Sequence, residues 1–292
     1  MMHAIRQWIS RAVALGVIGP IAAELAGRVV APDGSKQHTL LSGASLGAGI
    51  MALLSVGLLV ALMGFLGAAL GGRRESLLGM GFVLGWVAWT SGRLGRVYQL
   101  SPDSSTLIML AVEALVLLLI VLVVGALLSR NDESDPISSF KPDRLRGWLQ
   151  NKAMLGAMVG ALAASGAVAW LFGRSDLPGQ SIGVGFLAGI MAGVVGAMIA
   201  GSMSEEKGGH SGTPFAPVML GVMLCGVLVP LVGIITPGAE SLAELVYKGS
   251  LPGYLIVSPT AWIAGALIGV PVGHSWIEHS HAHTGPQATT AP

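Results

Sequence analysis

Cysteine occurs once, at Cys225 in an apolar run, so no disulfide forms within the chain and the redox compartment cannot be read. Charge is scarce as well. Asp, Glu, Lys and Arg make up 11% of the 292 residues, against about 25% in an ordinary soluble domain. A formal net charge of +1 gives no electrostatic argument for nucleic acid as a partner. Strand-like alternation is missing, which speaks against a soluble hydrolase fold. No complete catalytic set is present, so the chain is not expected to be an enzyme.

What is abundant is glycine, at 43 residues, within a chain that is 53% hydrophobic. From 185 to 201 a small residue recurs at every fourth position: Gly185, Gly189, Gly193, Ala197 and Gly201. The spacing returns at Ala261, Gly265, Gly269 and Gly273. In water each helical glycine costs about 1 kcal/mol against alanine. In lipid the helix is enforced because no other open segment satisfies its own backbone, and small residues four apart let two helices approach closely. The expected fold class is therefore an all-α integral membrane protein with Gly-rich helix packing.

Charge-free runs set the spans, each needing about 20 residues. Eight are expected: Trp8 to Val30, Gln37 to Gly72 with its approach loop, Ser76 to Gly92, Ser104 to Ser129, Ala153 to Gly173, Leu177 to Ser204, Gly208 to Ala239 and Gly249 to Ile277. Trp8, Trp148, Trp170 and Trp276 fall near predicted ends, as in an aromatic belt. Arg6 and Arg11 ahead of an apolar stretch also fit a signal peptide, but an internal repeat favours a retained first span.

That repeat aligns Leu41-Ser-Gly-Ala-Ser-Leu-Gly-Ala-Gly49 with Leu177-Pro-Gly-Gln-Ser-Ile-Gly-Val-Gly185, identical at five of nine positions at an offset of 136. Val97-Tyr-Gln echoes Val246-Tyr-Lys. Four spans per half return the chain to one side, making the halves parallel repeats. The division is 1–130 for the first half, 131–151 for a polar linker, 152–277 for the second half and 278–292 for a His-containing disordered tail. Asp143 to Gln150 in the linker fits either a short amphipathic helix at the lipid surface or a solvated connection. Lys and Arg number ten on the side of the termini and six on the other, which predicts a cell-membrane protein with both termini cytoplasmic.

Glu113 is the sharpest functional candidate, nine residues into a span that is otherwise free of charge. A carboxylate at that depth costs roughly 2.5–3.5 kcal/mol on insertion scales, so it should face the bundle interior. That suits a proton- or cation-interacting site, the alternative being a hydrogen-bonded strut. Glu24, four residues before Arg28, has the spacing of a helical ion pair and is a second transport candidate at the outer end. Pro20 just upstream is placed to bend that helix. His274, Glu278, His279, His281 and His283 form a weak metal motif suited to a divalent transition metal.

Gly43-Ala-Ser45-Leu-Gly47 and Gly179-Gln-Ser181-Ile-Gly183 match G-x-S-x-G. Without a strand, or a histidine well inside a span, they read as serine caps at helix starts. Glu205, Glu206 and His210 lie in a polar loop and are set aside. Residues 239–248 carry a short amphipathic pattern between two Pro-Gly pairs, and Pro230, Pro259 and Pro271 are expected to interrupt the last two spans. The expected function is a permease or channel-like transporter for a small solute or ion, with the lipid bilayer as partner. The alternative is a non-catalytic structural or assembly subunit, joined to other membrane subunits or to copies of itself through its Gly-rich helices.

Overall fold

The computed structural model describes residues 2–36, 38–91, 93–128, 147, 150–205 and 215–284, apart from the side chains of 178, 204–205 and 278–284. Among these the regular elements are helical, with no strand. In chain order they are α1 (Met2–Ala26), α2 (Leu46–Gly71), α3 (Arg73–Thr90), α4 (Leu94–Leu100), α5 (Ser104–Leu128), α6 (Lys152–Phe172), α7 (Pro178–Glu205), α8 (Phe215–Gly233), α9 (Leu242–Tyr247) and α10 (Pro259–Thr284). The linker segment from 131 to 146 lies outside the described residues.

Seven stretches are long and apolar enough to cross a membrane: α1, α2, α5, α6, Gly179–Met203 of α7, Phe215–Tyr247 and Pro259–Ile277 of α10. Helix α3 occupies the place of the remaining expected span, Ser76 to Gly92, but is not among these seven. Its 18 residues reach about 27 Å at 1.5 Å per residue, and its first turn carries Arg73, Arg74 and Glu75. Gly72, at φ +86°, makes the turn that folds α3 back antiparallel to α2.

Helix α5 separates its faces although its composition hardly varies, whereas α10 is buried on nearly all sides. On α5, Leu107, Leu110, Ala114 and Leu117 are fully buried, whereas Leu119 and Val123 are half exposed. The exposed row is the surface a bilayer would cover. Trp8, Trp170 and Trp276 are also exposed near helix ends, where an amphipathic ring sits well at a lipid–water boundary.

The two glycine rows pack against each other, α7 running parallel to α10. A Cβ on Gly185 would stand 2.5 Å from the Ala261 carbonyl oxygen, and one on Gly193 2.6 Å from that of Val270. Gly189 faces Gly265 and Gly269, and Gly273 faces Ile190. Backbone therefore meets backbone along this seam, a distance that only glycine permits.

Proline behaves differently from expectation. Pro259 opens α10, where its missing N–H is no loss, and α8 and α10 continue through Pro230 and Pro271. Helix α1 instead relaxes around Pro20 by a π-type turn over Ala14–Ile18, which eases the clash between the ring and the preceding turn. The last span starts at Pro259 rather than Gly249, because Gly249 (φ +64°) and a short 3₁₀ turn at Gly253–Ile256 carry the chain across the protein's end.

At that end α4, α9 and the Gly253–Ile256 turn form a cap. Tyr98 is buried and its hydroxyl donates to the Leu255 carbonyl at 3.0 Å. Leu94, Val97, Leu107, Leu110 and Leu242 complete a small apolar core there. The amphipathic pattern at 239–248 thus docks through its apolar side.

Candidate functional site: a buried carboxyl latched to a non-helical segment

Asp103 starts α5. Its Oδ1 accepts from the Thr106 N–H at 2.8 Å and the Ser105 hydroxyl at 2.7 Å. Those bonds hold its carboxyl below the usual carboxylate range. Ten residues on, about 15 Å along the axis, Glu113 is fully buried among apolar side chains.

What meets it is backbone. After α1 ends, the chain turns at Asp33–Ser35, where Asp33 Oδ1 accepts from the Ser35 N–H at 3.0 Å and Gly34 takes φ +77°. The Ala44 N–H then donates to the Val30 carbonyl at 2.7 Å and closes the loop. Inside this loop His38, Thr39, Leu40 and Leu41 are all buried. The Leu41 N–H donates to Glu113 Oε2 at 3.1 Å, and the Leu40 amide and Thr39 hydroxyl also act on this carboxyl. Glu113 Oε1 has no hydrogen-bond partner. Non-helical backbone at membrane depth is tolerated where protein buries it or where it lines a cavity.

The segment is stiff for local reasons. Ser42 Oγ accepts from the Thr39 N–H at 2.8 Å and shares a hydrogen bond with the Thr39 hydroxyl at 2.9 Å. His38 Nδ1 donates to the Thr39 carbonyl at 3.1 Å, leaving a buried Nε2 without a partner. Leu40 packs its carbonyl on Gly49 of α2, where a Cβ would come within 2.5 Å.

The other sequence candidates do not join Glu113. Glu24 lies on an exposed face of α1, and no Glu24–Arg28 ion pair forms among the described residues. The spacing fits a helix, but α1 ends at Ala26 and Arg28 lies beyond it. Arg28 instead edges a surface groove of about 260 Å³ with Leu25, Val29, Ala48, Met51, Ala52 and Ser55. His274 is buried, with the Phe215 ring edge-on at 5.7 Å. The side chains of Glu278, His279, His281 and His283 lie outside the described residues, as do those of Glu205, Glu206 and His210. Among the described residues no group of three or more His, Cys, Asp or Glu is placed to hold a metal ion.

Ser45 caps α2, its hydroxyl accepting from the Ala48 N–H at 3.4 Å. Its expected counterpart Ser181 is not a cap: it sits inside α7 and accepts from the Ser258 N–H at 3.1 Å. Sequence reading passed over Glu75, which is 1% exposed and bound by Arg11 through Nε–Oε2 at 2.9 Å and Nη2–Oε1 at 2.5 Å. The Arg11 guanidinium also lies 5.5 Å from the Trp8 ring centroid.

What this fold and site define is a class: a polytopic membrane protein, helical throughout its described elements, in which the buried Glu113 carboxyl is tied to a non-helical segment. No protein-family model, curated protein or solved structure matches the chain.

Proposed function

We propose that this protein is a cell-membrane permease for a small solute or ion, with Glu113 as its intramembrane acidic group and segment 38–42 as the gate over it. The observation that carries the reading is the Leu41–Glu113 contact. A buried carboxyl inside a span is costly and marks a pathway or relay more often than a strut. Here it is held by the backbone N–H of a non-helical segment that packs on α2 at Gly49. The proposed orientation puts both termini in the cytoplasm and the α4–α9 cap outside. No bond-making chemistry is proposed, and Glu24 stays outside the proposed pathway because of its exposed position.

The proposed division into two four-span halves fits the same reading. Helix α3 packs on α10 and α8 on α5, and α4 meets α9 in the cap. These are the pairings expected if 1–130 and 152–277 are parallel repeats of four spans each, with α3 counted as a span. Glu113 has no acidic partner in the second half, so the proposed duty is asymmetric.

Thermal unfolding of the purified protein against a panel of small solutes and inorganic ions tests the proposal, with Glu113→Gln in parallel. A ligand at 100 times its dissociation constant stabilises the folded state by about 2.7 kcal/mol. A shift that Glu113→Gln abolishes is expected. A silent panel, with both proteins melting alike, favours the second reading, a structural subunit. The α7–α10 seam supports that reading, since its backbone contacts need nothing beyond packing to account for them.

A further inference from the structure

We infer that the species exchanged at Glu113 is a proton and not a metal cation. The inference rests on the permease reading for its consequence, but its argument is the donor set around one carboxyl.

A bound Ca²⁺ takes six to eight oxygen ligands and Mg²⁺ a near-octahedral six. The groups directed at Glu113 are of the opposite kind. The Leu41 N–H reaches Oε2 at 3.1 Å, and the Leu40 amide joins it. Backbone N–H groups have no lone pair to give a cation. The Thr39 carbonyl accepts from His38 Nδ1, and the Thr39 hydroxyl shares a hydrogen bond with that of Ser42. No charged side chain among the described residues contributes to the electrostatics at this carboxyl, so a second carboxylate to share a metal is not there.

The two carboxyl oxygens differ in a way that suits proton exchange. Oε2 is occupied by the Leu41 N–H, whereas Oε1 is buried and unpartnered. A hydronium ion delivers its proton to Oε1: one of its O–H bonds breaks and water is released as the carboxyl O–H bond forms, so the carboxylate is neutralised while Oε2 keeps accepting from Leu41. Release is the reverse, the carboxyl O–H bond breaking as water takes the proton back. The weakening of the Leu41 bond that follows neutralisation then links the proton to the hold on segment 38–42.

His38 is the titratable neighbour on that segment. Its Nε2 is a second buried and unpartnered proton acceptor. In the cap, the buried Tyr98 hydroxyl donates to the Leu255 carbonyl. The faces of α2, α8 and α10 that pack around α5 bring no charge to bear on Glu113.

Infrared difference spectra between alkaline and acid pH, on the purified full chain, test the inference. The expected result is a C=O stretch of an un-ionised carboxylic acid that appears on acidification and is lost in Glu113→Gln. Chlorides of Na⁺, K⁺, Mg²⁺, Ca²⁺ and Zn²⁺ should leave the melting temperatures of both proteins equally placed. If Glu113→Gln does not fold, Glu113→Asp replaces it, and the band should move in frequency instead of vanishing. A cation that stabilises the wild type but not the variant overturns the inference and leaves the permease reading standing. A spectrum without a titrating band assigned to Glu113 overturns it too. Failure of the permease reading shows separately, as a protein that transports nothing whatever the band does.

Discussion

The backbone of Gly265 lies so close to that of Gly185 that a methyl group on Gly265 would overlap the Gly185 carbonyl. Gly265→Ala should therefore force α7 and α10 apart. Overpacking of this kind costs about 1–3 kcal/mol, read as a lower melting temperature in detergent. Gly166→Ala on α6 is the control, because its Cβ would meet nothing within 4 Å. If the two variants melt alike, the seam is not what holds these helices together.

The Arg11–Glu75 pair should behave as a unit. Glu75 is 1% exposed and the Arg11 side chain 34%. Stripping one partner from a buried pair costs about 3–5 kcal/mol. With a third of Arg11 open to its surroundings, screening should bring Arg11→Ala to the low end or below. The double variant Arg11→Met/Glu75→Met should lose less than the sum of the single changes. Strict additivity in a double-mutant cycle would contradict the coupling.

The cap should loosen at alkaline pH. Burial raises the Tyr98 phenol well above its ordinary value of 10.0, so folding favours the neutral form. Its contribution is complete below pH 10 and falls as the pH climbs toward the folded value. Tyr98→Phe should cost about 1 kcal/mol at neutral pH for the lost bond to Leu255. It should also flatten the alkaline decline that the wild type shows. Parallel melting curves for the two proteins from neutral to strongly alkaline pH would contradict the assignment.

Much of this was legible in the sequence, for reasons that can be named. The seam announced itself because close helix approach demands small residues at a fixed spacing, and Gly185, Gly189 and Gly193 have it. Glu113 stood out because a solitary carboxylate in an apolar run is expensive. Its partner was not legible: the Leu41 N–H lies 72 residues away in sequence, and a backbone donor leaves no side-chain signature. Glu75 was hidden beside Arg73 and Arg74, where charge reads as loop. Glu24 and Arg28 misled because helical spacing counts only while the helix lasts.

The measurement that tests the central claim most directly is flux through the protein reconstituted in sealed vesicles, wild type against Glu113→Gln. A pH-sensitive dye inside the vesicles reports proton movement driven by a K⁺ diffusion potential, and labelled solutes report cargo. The account predicts proton flux in the wild type, lost in Glu113→Gln although that variant melts as a folded protein. Flux that is equal in the two, or no flux in either beyond that of empty vesicles, would contradict it.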